Sequence, residues 1–150
     1  MLEKDLLELL VLFGSNNVEY LVVGGHAVAF HGHPRYTDDL DLFVRPDVVN
    51  GARIVQALRQ FGFGALDITP DDFAADDRVI QLGRAPNRVD LLTRLSGVDF
   101  SEAWATKVAA TLDGVPVWMI STESLIRNKR ATARAQDLAD AEFLERLRDR

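Results

Sequence analysis

The sequence predicts an α/β fold: one domain over residues 1–150, with a mixed β-sheet flanked by helices. Three observations carry that expectation. Short apolar runs of strand character alternate along the chain with segments whose apolar residues recur at helical spacing. A Gly24-Gly25 pair sits between the first buried run and a short helical segment, where the chain must turn sharply. No repeat, low-complexity tract or linker divides the 150 residues, and a 47% hydrophobic content supplies a core of ordinary size.

The elements follow in order. Leu2, Leu6, Leu9, Leu10 and Phe13 share one helical face, and Gly14 with Asn16-Asn17 ends that helix. Glu19 to Val23 is a short strand, apolar enough to be buried on both faces. Gly24-Gly25 turns the chain into a helix from His26 to His31, which stops at Gly32 and Pro34. A second strand, Asp39 to Val44, precedes a helix opened by Pro46-Asp47, with apolar positions Val48, Val49, Ile54, Val55 and Leu58 and an end at Gly62. An acidic loop from Thr69 to Asp77 leads to strands Val79 to Leu82 and Arg88 to Thr93, joined by a turn at Ala85-Pro86-Asn87. Asp113-Gly114 is a tight-turn signal before a strand from Val115 to Ile120. Ser121 or Thr122 then caps a helical region running nearly to Arg150, either continuous or interrupted.

Composition narrows the function. A net charge of −6 argues against broad DNA binding, which relies on neutralising many phosphates. Acid gathers between Asp67 and Asp77, whereas Arg127, Lys129, Arg130 and Arg134 form a local basic group suited to an anionic substrate. No apolar run has the length of a membrane span, and the N-terminus lacks a signal-peptide pattern. The chain has no cysteine, which fits a cytoplasmic protein and excludes disulfides and thiolate metal sites.

Asp39 and Asp41 stand at i and i+2 of a strand, so both project from one face while Leu40, Leu42 and Val44 turn to the other. Carboxylates held this way resist joint ionisation unless a cation sits between them. Mg²⁺ takes few protein carboxylates and leaves room for substrate phosphates, so it suits the pattern. A solvated, inert strand face is the competing reading. Gly24 and Gly25 would bring bare backbone N–H groups close to a phosphate, or simply serve a turn that needs glycine. Asp90 is a lone acid in the apolar run Arg88-Val89-Asp90-Leu91-Leu92, costly to bury unless paired or metal-bound. If its strand neighbours that of Asp39 and Asp41, three carboxylates converge and can hold two Mg²⁺ ions. A salt bridge from Asp90 to Arg88 is the alternative. Thr37 either caps the strand entry or binds phosphate, and Asp38 is a solvated neighbour.

A continuous C-terminal helix would align Leu125, Lys129, Ala133, Gln136, Asp140, Phe143 and Leu147, turning Lys129 and Asp140 inward. An inward lysine needs a carboxylate or a substrate phosphate, and Asp137 is placed to pair with Lys129 or Arg134. His26, His31 and His33 give no tetrahedral set; His26 shapes the turn or contacts substrate. Trp104 and Trp118 read as core.

Together, Gly24-Gly25, the string Arg35-Tyr36-Thr37-Asp38-Asp39-Leu40-Asp41-Leu42-Phe43-Val44 and Asp90 resemble the nucleotidyltransferase superfamily typified by DNA polymerase β. The stretch Leu125-Ile126-Arg127-Asn128-Lys129-Arg130-Ala131, with Asp137-Leu138-Ala139-Asp140, resembles its abortive-infection and toxin–antitoxin members. The resemblance runs from Tyr20 to Leu147. It implies a nucleotidyltransferase-like mixed sheet, a nucleoside triphosphate such as ATP, and Mg²⁺, as two ions, with Mn²⁺ as a substitute. It also implies transfer of a nucleoside monophosphate to an acceptor hydroxyl on a tRNA or other RNA end, a protein or a small molecule. Asp39, Asp41 and Asp90 would be the catalytic and metal-holding residues. Gly24, Gly25, Thr37, Lys129 and Asp137 would be on the substrate side. Relatives often carry Gly-Arg-Pro where this chain has Ala133-Arg134-Ala135, so the helix is expected to run on here. The alternative is a catalytically silent module that binds nucleotide or a partner in a toxin–antitoxin pair, its acceptor site completed by a partner protein or a second copy. A metal-dependent phosphohydrolase ranks below both because it leaves Gly24-Gly25 without a role.

Overall fold

The four residues Tyr20–Val23 are all buried and form β1, near the middle of the sheet. The computed structural model of the chain describes residues 2–62, 67–75 and 77–150. Around β1 lie β2 (Asp39–Val44), β3 (Val79–Leu82), β4 (Arg88–Leu92), β5 (Val108–Leu112) and β6 (Val115–Met119), in the order β3-β4-β2-β1-β6-β5. β1 runs antiparallel to β2 and parallel to β6, β2 runs parallel to β4, and the edge strands β3 and β5 run antiparallel to β4 and β6 respectively. The sheet is therefore mixed, as the interleaved pattern predicts.

Helix α1 (Lys4–Ser15) buries Leu6, Leu9, Leu10 and Phe13, the stripe read from its periodicity. Helix α2 (Gly24–Phe30) begins at the glycines themselves, two residues earlier than expected. Helix α3 (Val48–Phe61) is capped by Asp47, whose carboxylate accepts the Asn50 N–H at 2.6 Å. Val48 and Val49, expected inward, are exposed. Asn50 and Gly51 take the inward positions of that first turn instead. The Asn50 amide accepts from Glu19 N–H and donates to the Glu19 and Arg45 carbonyls, while Gly51 lies so close to the Pro70 carbonyl that a Cβ would stand 2.4 Å from it. Within the expected acidic loop, Pro70–Phe73 is a 3-10 turn that buries Phe73; Asp76 lies outside the described residues.

Two elements were not anticipated: α4 (Phe100–Ala105) and the edge strand β5. The C-terminal region is two helices, α5 (Thr122–Thr132) and α6 (Ala135–Arg148), so of the continuous and interrupted arrangements the sequence leaves open it is the interrupted one, and the helix does not run on at Ala133-Arg134-Ala135. Ala133 adopts a left-handed conformation (φ 57°) and its N–H closes onto the Lys129 carbonyl, ending α5. Trp118 is not core: it is 38% exposed, with the Lys107 ammonium 4.8 Å from its ring and 4.3 Å from that of Trp104. Among the described residues, no helix is long and apolar enough to cross a membrane.

Candidate active site

The register of β2 on β4 assembles the carboxylates. Asp41 lies opposite Asp90 and Asp39 opposite Arg88, so the period-two pleat directs all four side chains to one face. On the other face Leu40, Leu42, Val89 and Leu91 are buried in the core. Arg88 grips Asp90 with two hydrogen bonds, Nε to Oδ1 at 3.1 Å and Nη2 to Oδ2 at 3.2 Å, and its Nε lies 3.8 Å from Asp39 Oδ1. Asp90 is 8% exposed. Burial pushes the Asp41 carboxyl up to about 6, with the charges of Asp90 and Asp39 and a hydrogen bond to Asp90 adding to the shift and Arg88 opposing it.

The register puts three carboxylates on one face, an all-oxygen donor set of the kind a hard divalent cation takes, and burial together with the neighbouring carboxylates disfavours the charge on Asp41 that such a cation would offset. Among the described residues, no three Asp, Glu or His side chains are already gathered around a common point. Asp90 faces Arg88 instead, the salt-bridge alternative that the Arg88-Val89-Asp90 spacing offers.

Gly24 is required by its backbone and by close approach, and Gly25 sits in a tight contact. Gly24 has φ 67°, and a Cβ there would lie 2.2 Å from Asp41 Oδ2. A Cβ on Gly25 would lie 3.0 Å from the Thr37 side chain. The bare backbone at the β1–α2 junction is thus pressed against Asp41 and Thr37. The Thr37 hydroxyl donates to the Asp39 carbonyl at 3.1 Å. Asp39, Asp41, Asp90, Gly24, Gly25 and Thr37 therefore form one contiguous group, with exposed Asp38 and Tyr36 on its rim.

Lys129 and Asp137 belong to a second cluster. Lys129 Nζ lies 3.4 Å from Asp137 Oδ1 and 3.6 Å from Asp140 Oδ2. Although burial opposes its charge, hydrogen bonds from Arg134 and Thr132 and the nearby Lys129 ammonium hold Asp137 down to about 2. Asp140 is fully buried and receives Arg35 Nη2 at 2.5 Å and Gln136 Nε2 at 3.0 Å. The two clusters are joined by residues 31–38, a connection between α2 and β2 that opens with a turn at His31-Gly32. His31 holds the Ile120 carbonyl and Thr122 hydroxyl, His33 stacks on Phe143, Arg35 meets Asp140, and Thr37 meets Gly25. The basic group expected near the C-terminus is mostly paired: Arg127 with Glu102, Arg130 with Glu145, and Arg134 with Asp137. His26 is half-buried, and burial lowers its pKa. A cavity of about 90 Å³ lies between His26, Thr37, Asp38 and Pro86. Cavities of about 480 and 640 Å³ are lined by Trp104 and Trp118 and by Arg45 and Arg94, and neither reaches the carboxylates.

Of two further site residues, sequence reasoning named Arg88 as a partner for Asp90 and gave Arg35 no role of its own. Arg88 stands two positions before Asp90 and so shares its face. Arg35 sits inside the string that precedes Asp39, but its partner is 105 residues away.

No family model matches the sequence, and no curated protein matches it. Solved structures do. The crystal structure of ANT(2'')-Ia in complex with adenylyl-2''-tobramycin is 18% identical, with 95% of this chain and 91% of that chain covered and a TM-score of 0.53. The solution structure of the antibiotic-resistance factor ANT(2'')-Ia is 17% identical, with 97% and 88% covered and a TM-score of 0.56. An antigenic nucleotidyltransferase-like protein from Paracoccidioides brasiliensis is 18% identical, with 97% and 77% covered and a TM-score of 0.51. The fold is nucleotidyltransferase-like.

Proposed function

We propose that the chain is a divalent-metal-dependent nucleotidyltransferase, moving a nucleoside monophosphate from a nucleoside triphosphate to an acceptor hydroxyl while pyrophosphate leaves. The observation that supports it most is the β2–β4 register, which sets Asp41 against Asp90 beside Asp39 and under the bare backbone of Gly24. Asp39, Asp41 and Asp90 would hold one or two Mg²⁺ or Mn²⁺ ions. The bound metal would neutralise triphosphate charge and make the acceptor hydroxyl easier to deprotonate. Burial and the neighbouring carboxylates disfavour the charge on Asp41, and a bound cation would favour its ionised form. The Asp90 carboxylate accepts the proton of the acceptor hydroxyl. Backbone N–H groups at Gly24 and Gly25, the Thr37 hydroxyl and the Lys129 ammonium bind the phosphates, with Asp137 orienting Lys129.

The acceptor is an RNA end such as tRNA, a protein hydroxyl or a small molecule. A structural neighbour is seen with adenylyl-2''-tobramycin, which supports the last of these. The stretch from Leu125 to Ala131, with Asp137-Leu138-Ala139-Asp140, supports a toxin–antitoxin setting.

The test is thermal unfolding with ATP, GTP, CTP and UTP, with and without Mg²⁺, on the wild type and on Asp39→Ala/Asp41→Ala, followed by measurement of pyrophosphate release with candidate acceptors. Mg²⁺-dependent stabilisation of the wild type alone, with pyrophosphate release, is expected. No shift with any nucleotide removes the proposal. One observation favours a second reading, a silent module that binds nucleotide or a partner protein: Arg88 already lies between Asp39 and Asp90. Equal nucleotide binding by the double variant, without turnover in either protein, would select it.

A further inference from the structure

Each carboxylate that holds Lys129 also holds an arginine, and holds it more closely. Asp137 is 2.8 Å from Arg134 Nε and 3.4 Å from Lys129 Nζ; Asp140 is 2.5 Å from Arg35 Nη2 and 3.6 Å from Lys129 Nζ. The arginine contacts lie within or below the usual charge-assisted range and the lysine contacts lie beyond it. Asp140 Oδ2, the oxygen that faces the lysine, is buried with no hydrogen-bond partner. Lys129 keeps 11% of its side chain exposed, so it has a path to solvent, whereas Asp140 has none.

These asymmetries bear on which cation can leave. A buried carboxylate stripped of its last positive partner is strongly unfavourable, so a lone Lys–Asp140 pair would be locked. Two side chains of the 31–38 connection reach Asp140 Oδ1, Arg35 Nη2 at 2.5 Å and His33 Nδ1 at 3.5 Å, and Arg35, the closer and the permanently charged one, removes that constraint. We infer that Arg35 is a positioning residue that keeps Lys129 available to phosphate, by neutralising Asp140 so that the lysine can leave without stranding a buried charge. Arg134 does the same for Asp137. The inference rests on the proposed role of Lys129 at the triphosphate. A purely structural Arg35 would latch the connection to α6 and act independently of Lys129.

Two readouts separate the alternatives. The first is acetic anhydride labelling of Lys129 in the ligand-free protein, followed by mass spectrometry with exposed Lys4 as the internal standard. The second is calorimetric binding of inorganic triphosphate with Mg²⁺. Arg35→Ala is expected to slow Lys129 labelling and weaken triphosphate binding by about tenfold each, the loss expected for one charge-assisted contact. Arg35→Ala/Asp140→Asn is expected to recover both, and Arg35→Lys to keep both. In a Lys129→Ala background, Arg35→Ala is expected to cost no further binding. Asp140→Asn alone is expected to speed Lys129 labelling, which keeps the inference testable if Arg35→Ala does not fold. Unchanged labelling in Arg35→Ala or in Asp140→Asn overturns the inference, as does a binding loss that persists without Lys129. If the wild type binds no triphosphate, the proposed function fails, and labelling alone still decides the role of Arg35.

Discussion

At Asp41, burial and two like charges act on a single carboxyl group, and one guanidinium offsets them only in part. The folded-state value, about 6, lies above the ordinary 3.8, so between these limits the folded protein keeps a proton that the unfolded chain has released. Stability therefore falls as pH rises through that window, and the full penalty is present above about 6. In chelator-treated protein, Asp41→Asn should be more stable than the wild type above that value, on the order of 2 kcal/mol after allowing for partial exposure. The gap should close below the ordinary carboxylate value. Urea unfolding across that pH range checks it. Much of this was legible residue by residue: the i, i+2 carboxylates, the lone Asp90 and its neighbour Arg88 follow from the period of a strand. The Arg35–Asp140 pair was not, because nothing local in either segment names a partner 105 positions away.

Among the elements, the α5–α6 junction shows where local sequence signals fail. No glycine or proline marks it, yet Ala133 turns left-handed (φ 57°) and splits what could be read as one continuous amphipathic helix. A side chain at that conformation is strained where glycine is not, so Ala133→Gly should stabilise the protein by roughly 0.5–1 kcal/mol, measured by thermal unfolding. A loss of stability would mean that the extra freedom of glycine in the unfolded chain outweighs the relief of strain. Edge strand β5 escaped for a related reason: Val108-Ala109-Ala110-Thr111-Leu112 is alanine-rich, and its pairing with β6 through the Asp113-Gly114 turn decides its conformation. Strands β1 and β2, by contrast, carry enough apolar and β-branched residues to declare themselves.

For the whole molecule, the decisive contact is the most remote. Asp41 and Asp90 meet only because β4 lies parallel beside β2, with α3, the 3-10 turn and β3 between them in sequence. A parallel pair cannot close through a hairpin, so the carboxylate group exists only once the sheet is complete. Both tryptophans lie at the opposite side of that sheet, on or beside the β5–β6 hairpin. Tryptophan fluorescence and Mg²⁺-nucleotide binding should accordingly be lost at the same urea concentration; earlier loss of binding would show that the β2–β4 half unfolds separately. The connection from His31 to Asp38 carries one more consequence. Its odd-numbered side chains are half-buried and its even-numbered ones exposed, although it belongs to no strand. Inserting or deleting a single residue would exchange the two faces, setting Pro34 or Tyr36 where Arg35 meets Asp140. In a lineage of such chains, positions 34, 36 and 38 are free to drift while the length and Gly32 stay frozen, Gly32 because its φ is 118° and a Cβ there would lie only 2.7 Å from Leu147. This connection should therefore evolve as a ruler whose markings change and whose span does not.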